Sequence, residues 1–311
     1  MAKIEVKDYL DEKYVKLNTA AKNLDAIAKV KPKLVTFLIG DRKDSETYVR
    51  NKEKSIDRAG MTSETIRIPD GTPFEKILKQ VVEVNCDPRV NGILIQLPLN
   101  RNFYSKKDEE LLINVISPLK DVDGLSMVNQ AKLFIGEDQN TFLTPCTPTG
   151  IVKLLKDKVY NNSLKGLDVT VIGRSQLLGN SLAQMLMRED ANVTILHSKS
   201  GWIMSDYLSA NAVDVLCLCA GQPNLIYASD LDAEQDYTII DAAINVGEDG
   251  KLRGDFCKED YKTLDEWPLD EGFTVDYTSV PGGVGPITTY TLAYNLYKAA
   301  CLQHKLTIEN I

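Results

Sequence analysis

The sequence lacks several features that mark common protein classes. Among its 311 residues there are only two histidines, and the six cysteines include no Cys-x-x-Cys pair. This argues against a zinc site, because such sites are usually built from clustered Cys and His ligands. Cys217 and Cys219 alternate within an apolar run, which favours buried strand thiols. Unpaired cysteines are typical of cytosolic proteins, so we expect a cytoplasmic location.

Long hydrophobic runs and a basic surplus are also missing. No apolar stretch approaches the roughly 18 residues of a membrane-spanning helix, and the first residues lack the apolar core of a signal peptide. The formal net charge is −8, from 44 acidic and 36 basic residues. Nucleic-acid-binding proteins usually show the opposite balance or a clustered basic stripe. We therefore expect neither a membrane nor a nucleic acid as a partner.

Short apolar runs alternate with segments of helical periodicity along the chain. The runs are continuous, which indicates strands buried on both faces of parallel sheets. We predict strands at 34–39, 92–97, 168–172, 192–196, 213–218 and 237–241. Repeated strand–helix winding predicts a doubly wound α/β fold. The length fits two domains, and two prolines between Thr144 and Pro148 interrupt the pattern where we expect the boundary.

The C-terminal half contains a pattern typical of dinucleotide binding. Predicted strand 168–172 leads directly into Gly173-Arg-Ser-Gln-Leu-Leu-Gly179 and then into a helical segment. Glycines let the backbone approach a pyrophosphate, and a helix N-terminus attracts its charge. The spacing is not G-x-G-x-x-G, however, and two glycines around a loop are as often only a turn.

The end of the next strand favours NADP over NAD. NAD sites usually place Asp or Glu there to bind the ribose hydroxyls, whereas this chain has His197-Ser-Lys199. Arg174, Ser198 and Lys199 are suited to a 2′-phosphate. The alternative is that Arg174 is a surface charge and Ser198 a helix cap.

Two candidate site residues in the N-terminal half lie on one predicted helix. This helix, over residues 45–60, carries Tyr48 and Lys52 four residues apart on its inward face. An inward lysine is suited to proton transfer, although it can also extend past the core edge to water. Gln96 lies near the end of a predicted strand, where ligands gather in α/β proteins; the alternative is a glutamine that caps a loop.

Two further segments have unusual composition. Lys120-Asp-Val-Asp-Gly124 is an acidic turn without the spacing of an EF-hand. A solvated turn is the simple interpretation, and a carboxylate that binds the donor edge of a heterocycle is the alternative. Pro281-Gly-Gly-Val-Gly-Pro286 allows close backbone approach to a ligand at the start of a helix, with a structural hinge as the alternative.

In this order, these segments resemble the bifunctional methylenetetrahydrofolate dehydrogenase/cyclohydrolase family over nearly the whole chain. The matching segments are Tyr48–Lys54, Gln96–Leu99, Lys120–Gly124, Pro145–Pro148, Gly173–Ser175 and Pro281–Pro286. The resemblance implies an N-terminal α/β catalytic domain, formed by 1–146 with a C-terminal helix at 287–311. It also implies a Rossmann-like NADP-binding domain at 147–286, a cleft between the two domains and a homodimer.

The resemblance also assigns roles to individual residues. It implies that Lys52 is the key catalytic lysine with Gln96 beside it, that Tyr48 stacks on the folate, and that Asp123 holds the pterin ring. Gly282 and Gly283 would line the substrate cleft near the nicotinamide. The implied NADP contacts are Gly173, Arg174, Ser175, Gly179, Ser198 and Ile244. No metal is implied.

The implied chemistry has two steps. In the first step, 5,10-methylenetetrahydrofolate is oxidised with NADP+ to the methenyl form, and this step needs mainly alignment of the two reacting carbons. In the second step, the methenyl form is hydrolysed to 10-formyltetrahydrofolate, and this step needs proton transfer at Lys52.

The chain departs from the family pattern at Leu178-Gly-Asn-Ser181, Asp241-Ala-Ala-Ile-Asn245 and Ile287. The alternatives are a monofunctional dehydrogenase without cyclohydrolase activity, a non-catalytic NADP-binding scaffold, and a different two-domain dehydrogenase acting on shikimate or amino acids.

Overall fold

The computed structural model describes residues 1–247, 250–257 and 273–309. The chain forms two compact units. The N-terminal unit comprises Leu10–Cys146 and Thr289–Ile311, and the C-terminal unit comprises Met1–Tyr9 and Thr147–Thr288. The helices are α1 (Lys7–Ala28), α2 (Lys43–Arg58), α3 (Phe74–Cys86), α4 (Lys106–Val115), α5 (Met127–Ile135), α6 (Cys146–Leu154), α7 (Gly179–Met187), α8 (Met204–Ala210) and α9 (Val284–Gln303). None of the described helices is long and apolar enough to cross a bilayer.

The N-terminal unit contains a parallel sheet with the strand order β3-β2-β4. Its strands are β2 (Lys33–Ile39), β3 (Thr62–Ile68) and β4 (Gly92–Ile95). The apolar side chains of β2 and β4 are buried, and they pack with apolar residues of α3 and α4 in one core. The predicted strand at 34–39 is confirmed, whereas the predicted strand at 92–97 ends two residues early. The extended ladder stops there because Leu97 and Pro98 begin a loop.

Helix α2 carries the predicted helical site residues. It begins two residues before the predicted start and packs against β2 and β3, with Val49 and Ile56 buried. The predicted stop is confirmed, because Gly60 has a φ of 74°, a left-handed conformation that glycine adopts at low cost. This packing points the face that includes Lys52 inward, as the helical periodicity indicates.

The C-terminal unit contains a larger parallel sheet with the order β1-β13-β9-β7-β5-β6. Its strands are β1 (Ala2–Lys3), β5 (Asp168–Ile172), β6 (Asn192–Leu196), β7 (Val215–Leu218), β9 (Tyr237–Asp241) and β13 (Val275–Tyr277). Counted from β5, the order is 2-1-3-4-5, which is a doubly wound arrangement. The predicted fold class is therefore confirmed. The winding reverses between β5 and β7, where such sheets open a crevice for ligands.

Two small strand pairs flank the large sheet. They are β8 (Ile226–Tyr227) with β12 (Phe256–Cys257), which is parallel, and β10 (Asn245–Val246) with β11 (Leu252–Arg253), which is antiparallel. Both pairs involve the chain that follows β7 and β9. They bring residues 252–257 to the carboxyl ends of the large sheet's strands.

Candidate active site

The predicted lysine and glutamine meet in the N-terminal unit. Gln96 directly follows β4, and its backbone N–H donates to the carbonyl oxygen of Phe37 at 2.9 Å, so the residue is held in line with the sheet. Its side-chain Nε2 donates to the carbonyl of Leu97 at 2.8 Å. The amide oxygen Oε1 then accepts a hydrogen bond from Nζ of Lys52 at 3.2 Å. Lys52 is half-buried, and its ammonium group contacts a buried amide.

Tyr48 lies one helical turn before Lys52 on the same helix. Its side chain is 40% exposed, so part of the ring is open to solvent or to a ligand. Partial burial, followed by the negative charge of Asp44, raises the pKa of the Tyr48 hydroxyl. The phenol is therefore neutral at physiological pH, and its ring is suited to stacking.

The acidic turn 120–124 is largely a buried structural element. Asp121 is 2% exposed, and its carboxylate accepts hydrogen bonds from the backbone N–H groups of Leu125 and Ser126 and from Nδ2 of Asn129. Burial raises the pKa of Asp121. The ammonium group of Lys120 donates to two backbone carbonyls. The interpretation as a solvated turn is thus wrong for these two residues, and half-buried Asp123 is the remaining acid of the turn.

Cys146 is a buried thiol beside the turn that carries Asp123. Its buried thiol donates to the carbonyl of Val122, the residue directly before Asp123, at 3.2 Å. Burial, and after it the charge of Asp123, raises the pKa of the Cys146 thiol well above its ordinary value, whereas the charge of Lys52 lowers it. The charges of Lys52 and Asp123 thus both act on this one buried thiol.

Asn295 is a structural residue of this region that sequence reasoning overlooked. It lies on α9 and is buried, and its Nδ2 donates to the carbonyls of Val122 and Thr144, both at 2.8 Å. It therefore ties the turn that carries Asp123 to the segment that carries Cys146. The sequence does hold a signal for it, since Asn295 is the single amide within the apolar run Leu292-Ala-Tyr-Asn-Leu296. An amide that is buried with such a run must form hydrogen bonds, which indicates a structural role.

The glycines of the predicted dinucleotide loop are required by close packing in the C-terminal unit. Gly173 follows β5 with a φ of 122°, and a Cβ atom there would lie 2.5 Å from the carbonyl oxygen of Cys219. A Cβ atom on Gly179, the first residue of α7, would overlap the carbonyl oxygen of Gly173. The loop thus lies at the crevice between β5 and β7 and leads into a helix N-terminus. The side chains of Arg174 and Ser175 are exposed there, which fits a bound pyrophosphate and its neighbouring phosphate.

The turn after β6 presents the other predicted phosphate ligand. The backbone N–H of His197 donates to Oγ of Ser200 at 3.0 Å, and that of Lys199 donates to Nδ1 of His197 at 3.1 Å. The side chains of Ser198 and Lys199 are exposed. Helix α8 is preceded by Ile203, so the alternative that Ser198 caps this helix is wrong.

A fully buried carboxylate joins the loops after β7 and β9. Asp255 accepts hydrogen bonds from the backbone N–H groups of residues 220, 221 and 222, at 2.8 to 3.0 Å, and from Nδ2 of Asn245 at 3.1 Å. The neighbouring predicted cofactor residue, Ile244, is 41% exposed. Sequence reasoning did not single out Asp255.

Asp241, at the end of β9, is a second buried acid in the same region. Its carboxylate accepts hydrogen bonds from the backbone N–H groups of Ala243 and Phe256. Burial raises its pKa from 3.8 to about 6. This group therefore changes charge at mildly acidic pH.

The predicted substrate-lining glycines precede α9. Gly282 has a φ of 104°, and a Cβ atom on Gly283 would lie 2.6 Å from the carbonyl oxygen of Ser279. Both belong to the C-terminal unit, whereas Lys52, Gln96 and Asp123 belong to the N-terminal unit. In the parts of the chain that the structure describes, no group of three or more His, Cys, Asp or Glu side chains is arranged to hold a metal ion.

Comparison with known proteins identifies the family. Residues 4–123 match the family model of the tetrahydrofolate dehydrogenase/cyclohydrolase catalytic domain, and residues 145–304 match that of the NAD(P)-binding domain of the same enzymes. The bifunctional protein FolD of Listeria innocua is 39% identical over 270 residues, which are 87% of each chain.

Two solved structures are similar along almost the whole chain. The bifunctional FolD methylenetetrahydrofolate dehydrogenase/cyclohydrolase of Campylobacter jejuni aligns with a TM-score of 0.83 and 30% identity, covering 96% of this chain and 98% of that one. The Trypanosoma brucei enzyme, solved with NADP cofactor and an inhibitor, aligns with a TM-score of 0.80 and 28% identity, covering 96% of each chain. The resemblance predicted from the sequence is confirmed, and the chain belongs to the tetrahydrofolate dehydrogenase/cyclohydrolase family.

Proposed function

We propose that this enzyme oxidises 5,10-methylenetetrahydrofolate with NADP+ and hydrolyses the methenyl product to 10-formyltetrahydrofolate. Lys52, Gln96, Tyr48 and Asp123 form the folate site in this proposal. The observation that carries it is the hydrogen bond from Nζ of Lys52 to Oε1 of Gln96. A lysine, an amide and a carboxylate supply the groups that bind a pterin and move a proton near it.

Binding of the substrate is assigned to the ring of Tyr48 and the carboxylate of Asp123. The exposed part of the Tyr48 ring stacks on the flat, largely apolar face of the folate. The carboxylate of Asp123 accepts hydrogen bonds from the N–H edge of the pterin. Because Asp121 holds the turn through its own hydrogen bonds, Asp123 is presented from a fixed backbone.

Lys52 moves the proton in the hydrolytic step. Water adds to the electrophilic methenyl carbon, forming a C–O bond and releasing a proton. Cleavage of the bond from this carbon to the ring nitrogen N5 then requires a proton on that nitrogen. Nζ of Lys52 relays the first proton to N5, while Gln96 fixes the position of Nζ. As the bond to N5 breaks, the hydroxyl oxygen on this carbon forms the formyl C=O bond and releases its proton to solvent.

Cofactor binding is assigned to the C-terminal unit. The backbone of Gly173 and Gly179 and the N-terminus of α7 receive the pyrophosphate. Arg174 and Ser198 bind the 2′-phosphate, and Ser175 and Ile244 are further cofactor contacts. When bound, NADP+ supplies the acceptor for the hydride of the methylene group. The NADP in the related Trypanosoma brucei structure supports this choice of cofactor.

The domain roles follow from these assignments. Residues 1–146 with the helix at 287–311 would be the folate-binding catalytic domain, and 147–286 the NADP-binding domain. We include a homodimer and a cytoplasmic location in the proposal; the first rests on family resemblance, and the second is supported by six unpaired cysteines.

The test follows NADPH and methenyl absorbance after purified protein is mixed with 5,10-methylenetetrahydrofolate and NADP+, with NAD+ in a parallel reaction. We expect NADPH to form without accumulation of the methenyl product. Accumulation would favour the monofunctional dehydrogenase, and turnover with NAD+ alone would contradict the NADP assignment. Absence of turnover with either cofactor would favour the scaffold or a different dehydrogenase.

A further inference from the structure

Asp255 touches none of the groups that carry the proposed chemistry, yet it is fully buried and accepts four hydrogen bonds. Its Oδ2 accepts from the backbone N–H groups of Ala220 and Gly221, and its Oδ1 accepts from the backbone N–H of Gln222 and from Nδ2 of Asn245. All four donors are amides. Burying a carboxylate is costly unless hydrogen bonds compensate for lost hydration, so this arrangement strongly favours one conformation of the donor segments.

The donors lie where a dinucleotide would bind. Residues 220–222 form the loop directly after β7, on one side of the crevice between β5 and β7. The same loop contacts the dinucleotide loop, because Gly173 leaves no room for a Cβ atom against the carbonyl of Cys219. A shift of the loop after β7 would therefore move Gly173 or leave a gap beneath it.

The fourth donor, Asn245, connects Asp255 to a second loop. Asn245 follows Ile244, the exposed residue assigned to the cofactor, in the loop after β9. One carboxylate thus ties together two loops at the carboxyl ends of neighbouring strands, which is the edge of an open α/β sheet where ligands bind. Because Asp255 is fully buried and both its oxygens already accept hydrogen bonds, its effect on a ligand would be indirect.

We infer that Asp255 is a positioning residue that fixes the NADP-binding conformation of the loops after β7 and β9. The inference rests on the proposed function of the C-terminal unit as the NADP-binding domain. It predicts a defect in NADP+ binding that leaves the hydrolytic step intact, because hydrolysis of the methenyl substrate uses no NADP and its assigned residues lie in the N-terminal unit.

The experiment compares full-length wild type with Asp255→Asn, which has nearly the same volume but exchanges one acceptor oxygen for a donor group. We expect the KM and Kd for NADP+ to rise about tenfold or more, as expected for the loss of hydrogen bonds to a charged group. The dehydrogenase kcat at saturating NADP+ and the cyclohydrolase rate with methenyltetrahydrofolate should both remain near wild type. A merely structural defect would lower both activities together.

Asp214→Asn is the matched control. Asp214 also accepts a backbone hydrogen bond in the C-terminal unit, from the N–H of Asp168 at 2.7 Å, but at the opposite, amino-terminal end of the strands. It should leave the KM for NADP+ unchanged. A folded Asp255→Asn enzyme with wild-type affinity for NADP+ would overturn the inference.

A second variant keeps the inference testable if Asp255→Asn does not fold. Asn245→Ala removes the link to the loop after β9 but leaves the three backbone donors of Asp255 in place. We expect a rise in the KM for NADP+ of roughly threefold to tenfold, with the cyclohydrolase rate unchanged. An unchanged KM in this variant would also overturn the inference. Failure of the proposed function would instead be seen in the wild type, as absence of NADPH formation.

Discussion

A hydrogen bond restricts the position of Lys52, and its acceptor is far away in sequence. The amide of Gln96 accepts a hydrogen bond from Nζ, and Gln96 is itself held through its backbone and through Leu97. The charge of Lys52 also acts on the thiol of Cys146, which interacts with Asp123. The neighbouring lysine, Lys54, is exposed on the outer face of the same helix. Position, rather than residue type, therefore distinguishes the lysine that we assign to proton transfer.

Lys52→Met should abolish the cyclohydrolase activity while the protein still folds and binds folate. General acid–base groups contribute about 10²- to 10⁴-fold to rates, so we expect a loss of that order. The measurement is the rate of methenyltetrahydrofolate hydrolysis, with folate binding and thermal unfolding recorded beside it. Lys54→Met is the control and should hydrolyse at the wild-type rate. Undiminished hydrolysis by Lys52→Met would contradict the assigned role.

The end of strand β9 contains a group whose ionisation is linked to stability. The carboxyl of Asp241 has a pKa raised from 3.8 to about 6 by burial. At pH values between these two pKa values, Asp241 is protonated in the native protein and ionised in the unfolded chain. The free energy of unfolding therefore decreases as the pH rises from about 4 to about 6, and this contribution is constant above that range.

Asp241→Asn should remove this pH dependence. The free energy of unfolding of wild type, measured relative to the variant, is expected to fall by about 2 to 3 kcal/mol between about pH 4 and pH 7. Denaturant titrations at several pH values give this difference. The loss of an acceptor for the N–H groups of Ala243 or Phe256 adds an offset that does not depend on pH. A difference between the two proteins that is the same at all pH values would show that Asp241 ionises normally.

Helix α9 fixes loops of the N-terminal unit through two buried or half-buried amides. Nδ2 of Asn295 donates to the carbonyls of Val122 and Thr144, and Nε2 of Gln303 donates to those of Asn91 and Leu119. Each amide satisfies two backbone acceptors that are distant in sequence. Only the acceptors of Asn295 lie next to Asp123 and Cys146. The two amides therefore form the same kind of hydrogen bonds, but only Asn295 is close to the proposed folate site.

Asn295→Leu should both destabilise the protein and weaken folate binding. The substitution keeps a similar volume but removes the amide that donates to two carbonyls of the buried core, at a cost of about 1 to 3 kcal/mol in the free energy of unfolding. Because the turn that carries Asp123 loses its tie to residue 144, the KM for the folate substrate should rise. Gln303→Leu is the control, which should also destabilise the protein but leave this KM unchanged. Equal KM values for both variants would show that Asn295 only supports the fold.

At the scale of the whole molecule, local sequence patterns predicted the elements that are apolar and continuous. The strands at 34–39 and 168–172, and helix α2 with its stop at Gly60, were predictable because burial on both faces or one-sided periodicity leaves a local signal. Strand β3 was not, since Thr-Ser-Glu-Thr-Ile-Arg-Ile lies at a sheet edge and is mostly polar. Strands β1 and β13 are too short to leave a pattern.

The residues of the candidate site were also predictable only where they leave a local pattern in the sequence. Lys52, Gln96 and Asp123 lie in motifs that could be read locally and compared with a family. Asp255 and Asn295 act through hydrogen bonds to partners between 10 and 173 residues away, and no spacing rule predicts such contacts. Side chains that bind substrates tend to form motifs, whereas side chains that hold loops are identified only when the chain has folded.

Binding of NADP+ should stabilise the whole protein through the C-terminal unit alone. A ligand at about one hundred times its Kd adds about 2.7 kcal/mol to the free energy of unfolding of the state that binds it. Arg174→Ala should weaken NADP+ binding by about 1.5 to 3 kcal/mol, because it removes a charged partner of the 2′-phosphate, and its affinity for NAD+ should not change. Thermal unfolding at one fixed NADP+ concentration should then show a smaller upward shift for Arg174→Ala than for wild type. Lys52→Met should show the full wild-type shift, because Lys52 belongs to the N-terminal unit. A full shift in Arg174→Ala would remove the basis for assigning NADP specificity to the loop after β5.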